Sequence, residues 1–203
     1  MKEKERLKNN WSGARNWLRR RLQSVYMRVR VPPRPPEDFR MKYYAGIGAR
    51  STPSNVLQHM TNMAKVFKNR GFILRSGGAV GADQAFHRGA GYSSEIFEAS
   101  SVHSYSTRFS LCYEIASRYH PRWSRCSKYA KKLHMRNVMI LLGEDLDKPV
   151  DFVVCWTKDG DAIGGTGQSI RMARSPEYNI PVYNLAIPED IEKFMKFTIS
   201  MGD

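Results

Sequence analysis

One short segment, residues 75–83, carries the residue types best suited to chemistry. It reads R-S-G-G-A-V-G-A-D, follows the apolar residues 72–74, and precedes a stretch with helical spacing. Gly77, Gly78 and Gly81 have no Cβ atoms, so an anion can rest directly against the backbone N–H groups of such a turn. The dipole of the following helix adds its own attraction for negative charge. The segment therefore predicts a phosphate-binding loop.

Two further glycine-containing loops have the same character. Residues 46–53 read G-I-G-A-R-S-T-P, in which Arg50 offers a charged fork and Ser51 a hydroxyl close to a helix N-terminus. Residues 156–168 read W-T-K-D-G-D-A-I-G-G-T-G-Q, again glycines followed by a helix-like stretch. Neither G-x-x-x-x-G-K-[ST] nor G-x-G-x-x-G occurs, which disfavours a P-loop NTPase and a standard dinucleotide-binding fold.

The elements that must position these loops alternate between strand and helix patterns from Met41 onward. Such alternation predicts an α/β fold, a Rossmann-like three-layer sandwich with a mainly parallel sheet flanked by helices. Because loops collect at the C-terminal edge of the strands in an open sheet, we expect the three glycine loops to meet there. The predicted strands are 43–48, 72–75, 94–99, 150–156 and 181–185, and the predicted helices are 53–69, 81–89, 109–119, 127–142, 164–173 and 189–200.

Composition narrows the class of protein. The chain has 203 residues, of which 41% are hydrophobic and 26% charged, as in an ordinary soluble domain. No apolar stretch approaches the roughly 18–20 residues of a membrane helix, and the N-terminus lacks the apolar centre of a secretory signal. Cys112, Cys126 and Cys155 are widely spaced without a C-x-x-C pair, which favours reduced thiols in the cytoplasm and no zinc site of regular spacing.

The formal net charge of +14 is concentrated at the start of the chain. Residues 1–40 contain 12 Lys and Arg against 4 Asp and Glu, a surplus of 8, whereas the remaining 163 residues have a surplus of 6. This Pro- and Arg-rich extension is predicted to be disordered, and both polyanion binding and a merely solvated tail stay open. A genuine start at Met41 is a further hypothesis. Residues 41–203 are predicted to form a single domain.

Three motifs together resemble the SMF/DprA and Lonely-Guy (SLOG) superfamily. They are Y-A-G-I-G-A-R-S-T-P, R-S-G-G-A-V-G-A-D-Q-A-F-H-R-G-A, and C-W-T followed by G-G-T-G-Q-S-I-R-M-A, and their order and spacing agree over residues 42–185. The second is similar to the S-G-x-A-x-G-x-D and A-H-x-G-A signature of DprA-like proteins, including small phage and bacterial ones. The resemblance implies a Rossmann-like fold, and a nucleotide, nucleotide derivative or single-stranded DNA as ligand. The resemblance also implies that the protein is located in the cytoplasm of a bacterial or phage-infected cell.

Transferred by position, the resemblance implies a set of ligand-binding residues, to which the loop sequences add Ser51 and Thr157. The implied residues are Gly46, Gly48, Arg50, Ser76, Gly77, Gly78, Gly81, Asp83, Gly164, Gly165, Thr166 and Gly167. Arg136 and Asn137, on an otherwise core-like helix, point to the same edge. Two roles are open to Asp83: capping of the helix that it begins, or contact with a ribose or base.

One departure from the family bears on catalysis. Lonely-Guy phosphoribohydrolases carry P-G-G-x-G-T-x-x-E, and aligning residues 164–167 with that pattern places Arg171 at the glutamate. Cleavage of a base–ribose bond needs a carboxylate to stabilise positive charge on the sugar. Asp83, Asp159 or Asp161 could supply one by another route. Enzymatic activity therefore stays open.

Three functions follow, in order of preference. The first is binding of a nucleotide or nucleotide-derived ligand through the three glycine loops. The second is a DprA-like module that binds single-stranded DNA through its basic surface. Residues 120–123 could stack a base and hold a phosphate, or form only a turn with a buried Trp. The third is an N-glycosidase acting on nucleoside monophosphates. Magnesium accompanying a phosphate and a homo-oligomer formed through residues 127–142 stay open, and no membrane partner is expected.

Overall fold

The computed structural model describes residues 41–102 and 107–200. The predicted extension, residues 1–40, lies outside the described residues, and so does the prediction that it is disordered. Within the described part of the chain, no helix combines the length and apolar character needed to cross a membrane. The strands are β1 (Lys42–Gly48), β2 (Phe72–Ser76), β3 (Ser94–Ile96), β4 (Phe152–Trp156) and β5 (Val182–Asn184). The α-helices are α1 (Ser54–Asn69), α2 (Ala82–Ala90), α3 (Thr107–Tyr119), α4 (Lys128–Leu142), α5 (Gly164–Ala173) and α6 (Pro188–Ser200).

The five strands form one sheet in the order β3-β2-β1-β4-β5, and every neighbouring pair is parallel. This confirms the α/β fold that the alternating pattern predicts. The strand order reverses between β1 and β4, whose C-terminal ends meet where Gly48 pairs with Trp156. In open α/β sheets such a reversal leaves a crevice at the C-terminal edge, and ligands bind there.

Two hydrophobic cores pack against the two faces of the sheet. Successive residues of a strand alternate between the faces, so Tyr44 of β1 belongs to one core and Ala45 to the other. The core around Tyr44 includes Met60 of α1, Phe86 of α2 and Phe194 of α6. The core around Ala45 includes side chains of α3, α4 and α5. Helices therefore cover both faces, which confirms the three-layer prediction.

The observed boundaries differ from the predicted ones mainly at the edges of the sheet. The strand expected at 94–99 ends at Ile96, and residues 99–101 form a short 3₁₀ helix. The strand expected at 181–185 holds three residues. An edge strand has a partner on one side only, so fewer ladder hydrogen bonds hold its ends than those of β1 or β4.

Candidate anion-binding site

A cavity of about 550 Å³ lies at the C-terminal edge of the sheet, beside the reversal between β1 and β4. The loop after β1, the loop after β4 and one face of α4 supply most of its wall. Its volume falls within the range of small-molecule sites, about 300–1,000 Å³. The residues that line it include Ile47, Gly48, Ala49, Arg50, Ser51, Ala79, Asp83, Leu133, His134, Arg136, Asn137, Thr157, Lys158, Ile163, Gly164, Gly165, Thr166 and Ser169.

The predicted ligand-binding residues divide between this cavity and the protein interior. Those that line the cavity are Gly48, Arg50, Ser51, Asp83, Thr157, Gly164, Gly165 and Thr166. Those that do not are Gly46, Ser76, Gly77, Gly78, Gly81 and Gly167. The first and third glycine loops therefore meet at the cavity. The middle loop, where the sequence predicts the phosphate site, reaches it only through Ala79 and Asp83.

The middle loop already holds an anion, the carboxylate of Asp83. This side chain lies in the first turn of α2 and is buried. Its Oδ1 accepts a hydrogen bond from the N–H of Gly48 (3.2 Å), and its Oδ2 accepts one from the N–H of Ala79 (3.3 Å). The Arg136 guanidinium lies 3.7 Å from the same Oδ2. Asp83 thus joins three segments of the chain, and these contacts support a structural role for it.

Burial and charge act on the pKa of Asp83 in opposite directions. Burial is the largest influence and raises the pKa above its ordinary value, while the charge of Arg136 and the N–H groups of Ala79, Gly48 and Gly77 lower it. Burial likewise lowers the pKa of Arg136, and Asp83 raises it. Because both groups are poorly solvated, removal of one partner leaves the other as an uncompensated buried charge.

Several of the glycines outside the cavity wall are needed where chain segments approach each other. A Cβ at Gly77 would overlap the Arg136 guanidinium, and one at Gly167 would overlap the backbone of the preceding loop. A Cβ at Gly46 would lie 2.6 Å from the ring of Phe86. These three glycines therefore have a packing role, and their contact with a ligand stays a prediction.

Gly81, Gly78 and Ser76 also serve the fold. Gly81 has a φ of 100°, and a Cβ there would lie 2.9 Å from the carbonyl oxygen of Ala49, so glycine lets the first loop cross the middle one. A Cβ at Gly78 would approach a side chain of β3 to 3.1 Å. The buried Ser76 hydroxyl donates to the carbonyl oxygen of Gly46 (2.6 Å) and ties β2 to β1.

The third loop, in contrast, leaves the N-terminus of its helix open. Cβ atoms built at Gly164 and Gly165, the first residues of α5, would have no described heavy atom within 4 Å beyond their own neighbours. The first N–H groups of a helix have no intrahelical acceptor, and the helix dipole attracts anions to them. Asn137 fixes this turn by donating from Nδ2 to the carbonyl oxygen of Gly165 (3.2 Å) and to Oε1 of Gln168 (3.1 Å).

Three buried side chains of the cavity wall, His134, Arg136 and Ser169, have polar atoms without a partner among the described residues. Arg136 is 8% exposed and Ser169 is 1% exposed, yet Arg136 Nε and Ser169 Oγ have no hydrogen-bond partner among the described residues. An unpaired buried donor costs about 1–3 kcal/mol, so native proteins keep few of them. An anion bound in the cavity is a suitable partner for Arg136 and Ser169. The exposed Arg50 and Lys158 add positive charge to the wall.

Sequence reasoning missed three polar side chains of the cavity wall: Lys158, Ser169 and His134. Lys158 lies within the third loop and Ser169 directly after it, so both were open to discovery from the loop alone. His134 lies three residues before Asn137 and therefore on the same helix face. Burial is the largest of the influences that lower the pKa of His134 to about 4, so its imidazole is neutral at neutral pH.

The spacing of His, Cys and carboxylate residues along the sequence predicts no zinc site, but three such side chains lie close together in the structure. Ligand atoms of His120, Cys126 and His134 all lie within 4.8 Å of one another. The intervals along the sequence do not reveal this, because the 3₁₀ helix Trp123–Arg125 and the first turns of α4 fold the chain back on itself.

The cavity offers little for cleavage of a glycosidic bond. Asp83 is the one carboxylate among the described residues that line it, and both its oxygens accept bonds from the backbone. Asp159 and Asp161 are exposed and stand outside the wall. Arg171, which aligns with the glutamate of the Lonely-Guy motif, donates to the carbonyl oxygen of Tyr119 (2.9 Å) and braces α5 against the end of α3. The cavity likewise offers few ligands to a magnesium ion, which prefers carboxylate oxygens.

Comparison with known proteins gives one distant match. None of the family models matches this chain, and neither does any curated protein. Among solved structures, DNA processing protein A from Helicobacter pylori, described for its unique single-stranded DNA binding mode, matches with 21% sequence identity and a TM-score of 0.49. The match covers 78% of this chain and 73% of that one. We draw no functional conclusion from a likeness at this level.

Proposed function

We propose that this domain binds a phosphate-bearing nucleotide or nucleotide derivative, with the phosphate at the N-terminus of α5. The observation that supports this most directly is the pair of buried, unpartnered donors, Arg136 Nε and Ser169 Oγ, on two residues of the cavity wall that the open N-terminus of α5 also lines. A phosphate suits all three, because its oxygens accept hydrogen bonds from guanidinium, hydroxyl and helix N–H groups at once.

The size and walls of the cavity favour a nucleotide over a free phosphate. A volume of about 550 Å³ exceeds what an isolated phosphate fills, and the apolar side chains of Ile47, Leu133 and Ile163 form part of the wall. Small-molecule sites combine such apolar surface with a few placed polar groups. The resemblance of the three loops to the SMF/DprA and Lonely-Guy superfamily points to the same class of ligand. The shortage of free carboxylates favours binding over N-glycosidic cleavage.

Thermal denaturation of the full chain tests this proposal. The protein is heated with nucleoside monophosphates, with the matching nucleosides, and with inorganic phosphate. A ligand at 100 times its Kd adds about 2.7 kcal/mol to the free energy of unfolding, so the monophosphates should raise Tm far more than the nucleosides. Equal shifts from nucleosides and monophosphates would contradict a phosphate site.

The variant Gly165→Asp locates the site. Its carboxylate enters the open space at the N-terminus of α5 and repels a phosphate there, so the Tm shift should disappear. Gly165→Asn is the matched control, since it has the same size without the charge, and it should retain more of the shift. A full shift in Gly165→Asp would place the ligand elsewhere.

A second candidate, binding of single-stranded DNA, is favoured by an exposed surface around residues 113–132. Tyr129 is 66% exposed and Tyr113 is 39% exposed, and Arg122, Arg125 and Lys128 are exposed in the same stretch. Aromatic rings and cations on one surface suit the stacking of bases and the binding of phosphates.

A short mixed-sequence oligonucleotide in the same assay separates the two candidates. DNA bound on the 113–132 surface should still stabilise Gly165→Asp, and its affinity should fall steeply with salt because each phosphate contact releases counterions. If Gly165→Asp loses oligonucleotide binding together with monophosphate binding, the result would favour the cavity as the site for both ligands.

A further inference from the structure

Three side chains with soft or borderline metal-binding atoms meet beside the cavity. His120 follows α3, Cys126 follows the 3₁₀ helix Trp123–Arg125, and His134 lies in the second turn of α4. One ligand atom from each lies within 4.8 Å of those of the other two. Cys126 Sγ lies 3.7 Å from Nδ1 and 3.8 Å from Nε2 of His120, and the rings of His120 and His134 are 4.2 Å apart between centroids.

The hydrogen bonds of this group leave ligand atoms available. His134 Nδ1 is buried and has no hydrogen-bond partner among the described residues. His120 Nδ1 accepts from the backbone N–H of Arg122 (3.2 Å), and the Cys126 thiol faces the carbonyl oxygen of Arg122 at 3.7 Å. These two contacts are weak by distance or by atom type, so a metal ion replaces little when it binds.

We propose that His120, Cys126 and His134 form a binding site for one divalent ion of the zinc type. Thiolate and imidazole together select zinc over magnesium or calcium, which prefer oxygen. Ligands at about 2.0–2.3 Å around a tetrahedral ion stand roughly 3.3–3.8 Å apart. The observed group is therefore within about an ångström of that spacing, a distance that rotation of the half-exposed His120 and Cys126 side chains towards the buried His134 can close.

Three protein ligands leave a fourth position for water or another group, as in zinc sites that are not purely structural. His134 also lines the candidate anion-binding cavity, so the ion would lie at the rim of that cavity. Binding requires loss of the Cys126 thiol proton to solvent as the sulfur–metal bond forms. The proposal does not depend on the nucleotide site.

Cobalt(II) is the probe for the experiment, because a thiolate ligand gives it a charge-transfer absorption band and a tetrahedral site gives intense visible bands. The full chain, prepared without a polyhistidine tag and treated with a chelator, is titrated with cobalt and then with zinc. We expect one equivalent of cobalt to produce both sets of bands and zinc to remove them. Absence of the charge-transfer band would overturn the proposal.

Variants assign the bands to these residues. Loss of an outer-shell partner typically weakens metal binding 10–100-fold, so loss of the thiolate ligand in Cys126→Ser should weaken it by more than about 100-fold. His87→Gln, at an exposed histidine outside the group, is the control and should bind as the parent does. Thermal denaturation of the metal-free variants checks that both fold. The proposal would be overturned if folded Cys126→Ser gave the same cobalt spectrum as the parent. An unchanged cobalt spectrum in Gly165→Asp would show that the metal and anion sites are separate.

Discussion

The N-termini of α2 and α5 begin in similar ways and differ in what occupies them. Each helix follows a parallel strand and a glycine-rich turn, and each turn lies at the C-terminal edge of the sheet. At α2, the Asp83 carboxylate accepts hydrogen bonds from the backbone and lies 3.7 Å from a guanidinium nitrogen of Arg136. At α5, no described atom beyond the local chain fills the space beside Gly164 and Gly165.

The difference depends on one position. Asp83 is the second residue of α2, and Gly165 is the second residue of α5. At α2, the Asp83 carboxylate accepts hydrogen bonds from the N–H groups of Gly48 and Ala79 and places a negative charge where the helix dipole favours one. Glycine at the same position leaves that role to an external anion. Glycines alone therefore do not identify a phosphate site. The second residue of the helix that follows them must be considered as well.

Removal of the internal anion should have the largest effect. Asp83→Ala leaves Arg136 as an unpaired buried charge, so we expect it to lower the free energy of unfolding by about 3–5 kcal/mol. Urea denaturation measures this change. Asp161→Ala, at an exposed carboxylate of the third loop, should stay within about 0.5 kcal/mol of the parent. A cost below about 1 kcal/mol for Asp83→Ala would mean that α2 does not depend on its own carboxylate.

A methyl group added to each turn should have unequal effects. Gly81→Ala forces a side chain into a backbone conformation with φ of 100° and against the carbonyl oxygen of Ala49, which we expect to cost about 1–3 kcal/mol. Gly165→Ala enters open space inside a helix, so it should be neutral or stabilise by up to about 1 kcal/mol. Denaturation midpoints of the two variants compare them directly. Equal losses would refute the view that one turn is closed and the other open.

The smallest expected effect on stability comes from Ser169→Ala. Its hydroxyl has no partner among the described residues, so removing this unpaired buried donor should leave the free energy of unfolding unchanged or raise it by up to about 1 kcal/mol. Because a hydrogen bond to a charged group contributes about 1.5–3 kcal/mol, affinity for a monophosphate should fall at least about 10-fold. Isothermal titration measures the affinity. Ser117→Ala, at a hydroxyl on α3 outside the cavity wall, is the control and should bind the monophosphate with the affinity of the parent. A similar loss of affinity in Ser117→Ala would contradict a direct contact between Ser169 and the ligand.

Local sequence signals were sufficient to predict the fold and half of the cavity wall. Strand–glycine–helix patterns are short-range, so the loops at Gly48 and Gly164 could be placed on one edge before any contact was known. The sequence could not show that the Asp83 carboxylate occupies the α2 turn. The partners of Asp83 are distant along the chain, because Gly48 lies 35 residues earlier and Arg136 lies on another helix. Such partners are fixed by tertiary packing rather than by spacing along the chain.

Arg136 stands between the two helix N-termini, near Asp83 and in the wall of the cavity. An anion that draws its guanidinium away reduces the effect of Arg136, which lowers the pKa of Asp83 against the rise caused by burial. The carboxyl group would then take up a proton as the ligand binds. In a calorimeter, the heat of association would therefore vary with the ionisation enthalpy of the buffer, and affinity would rise as the solution became more acidic.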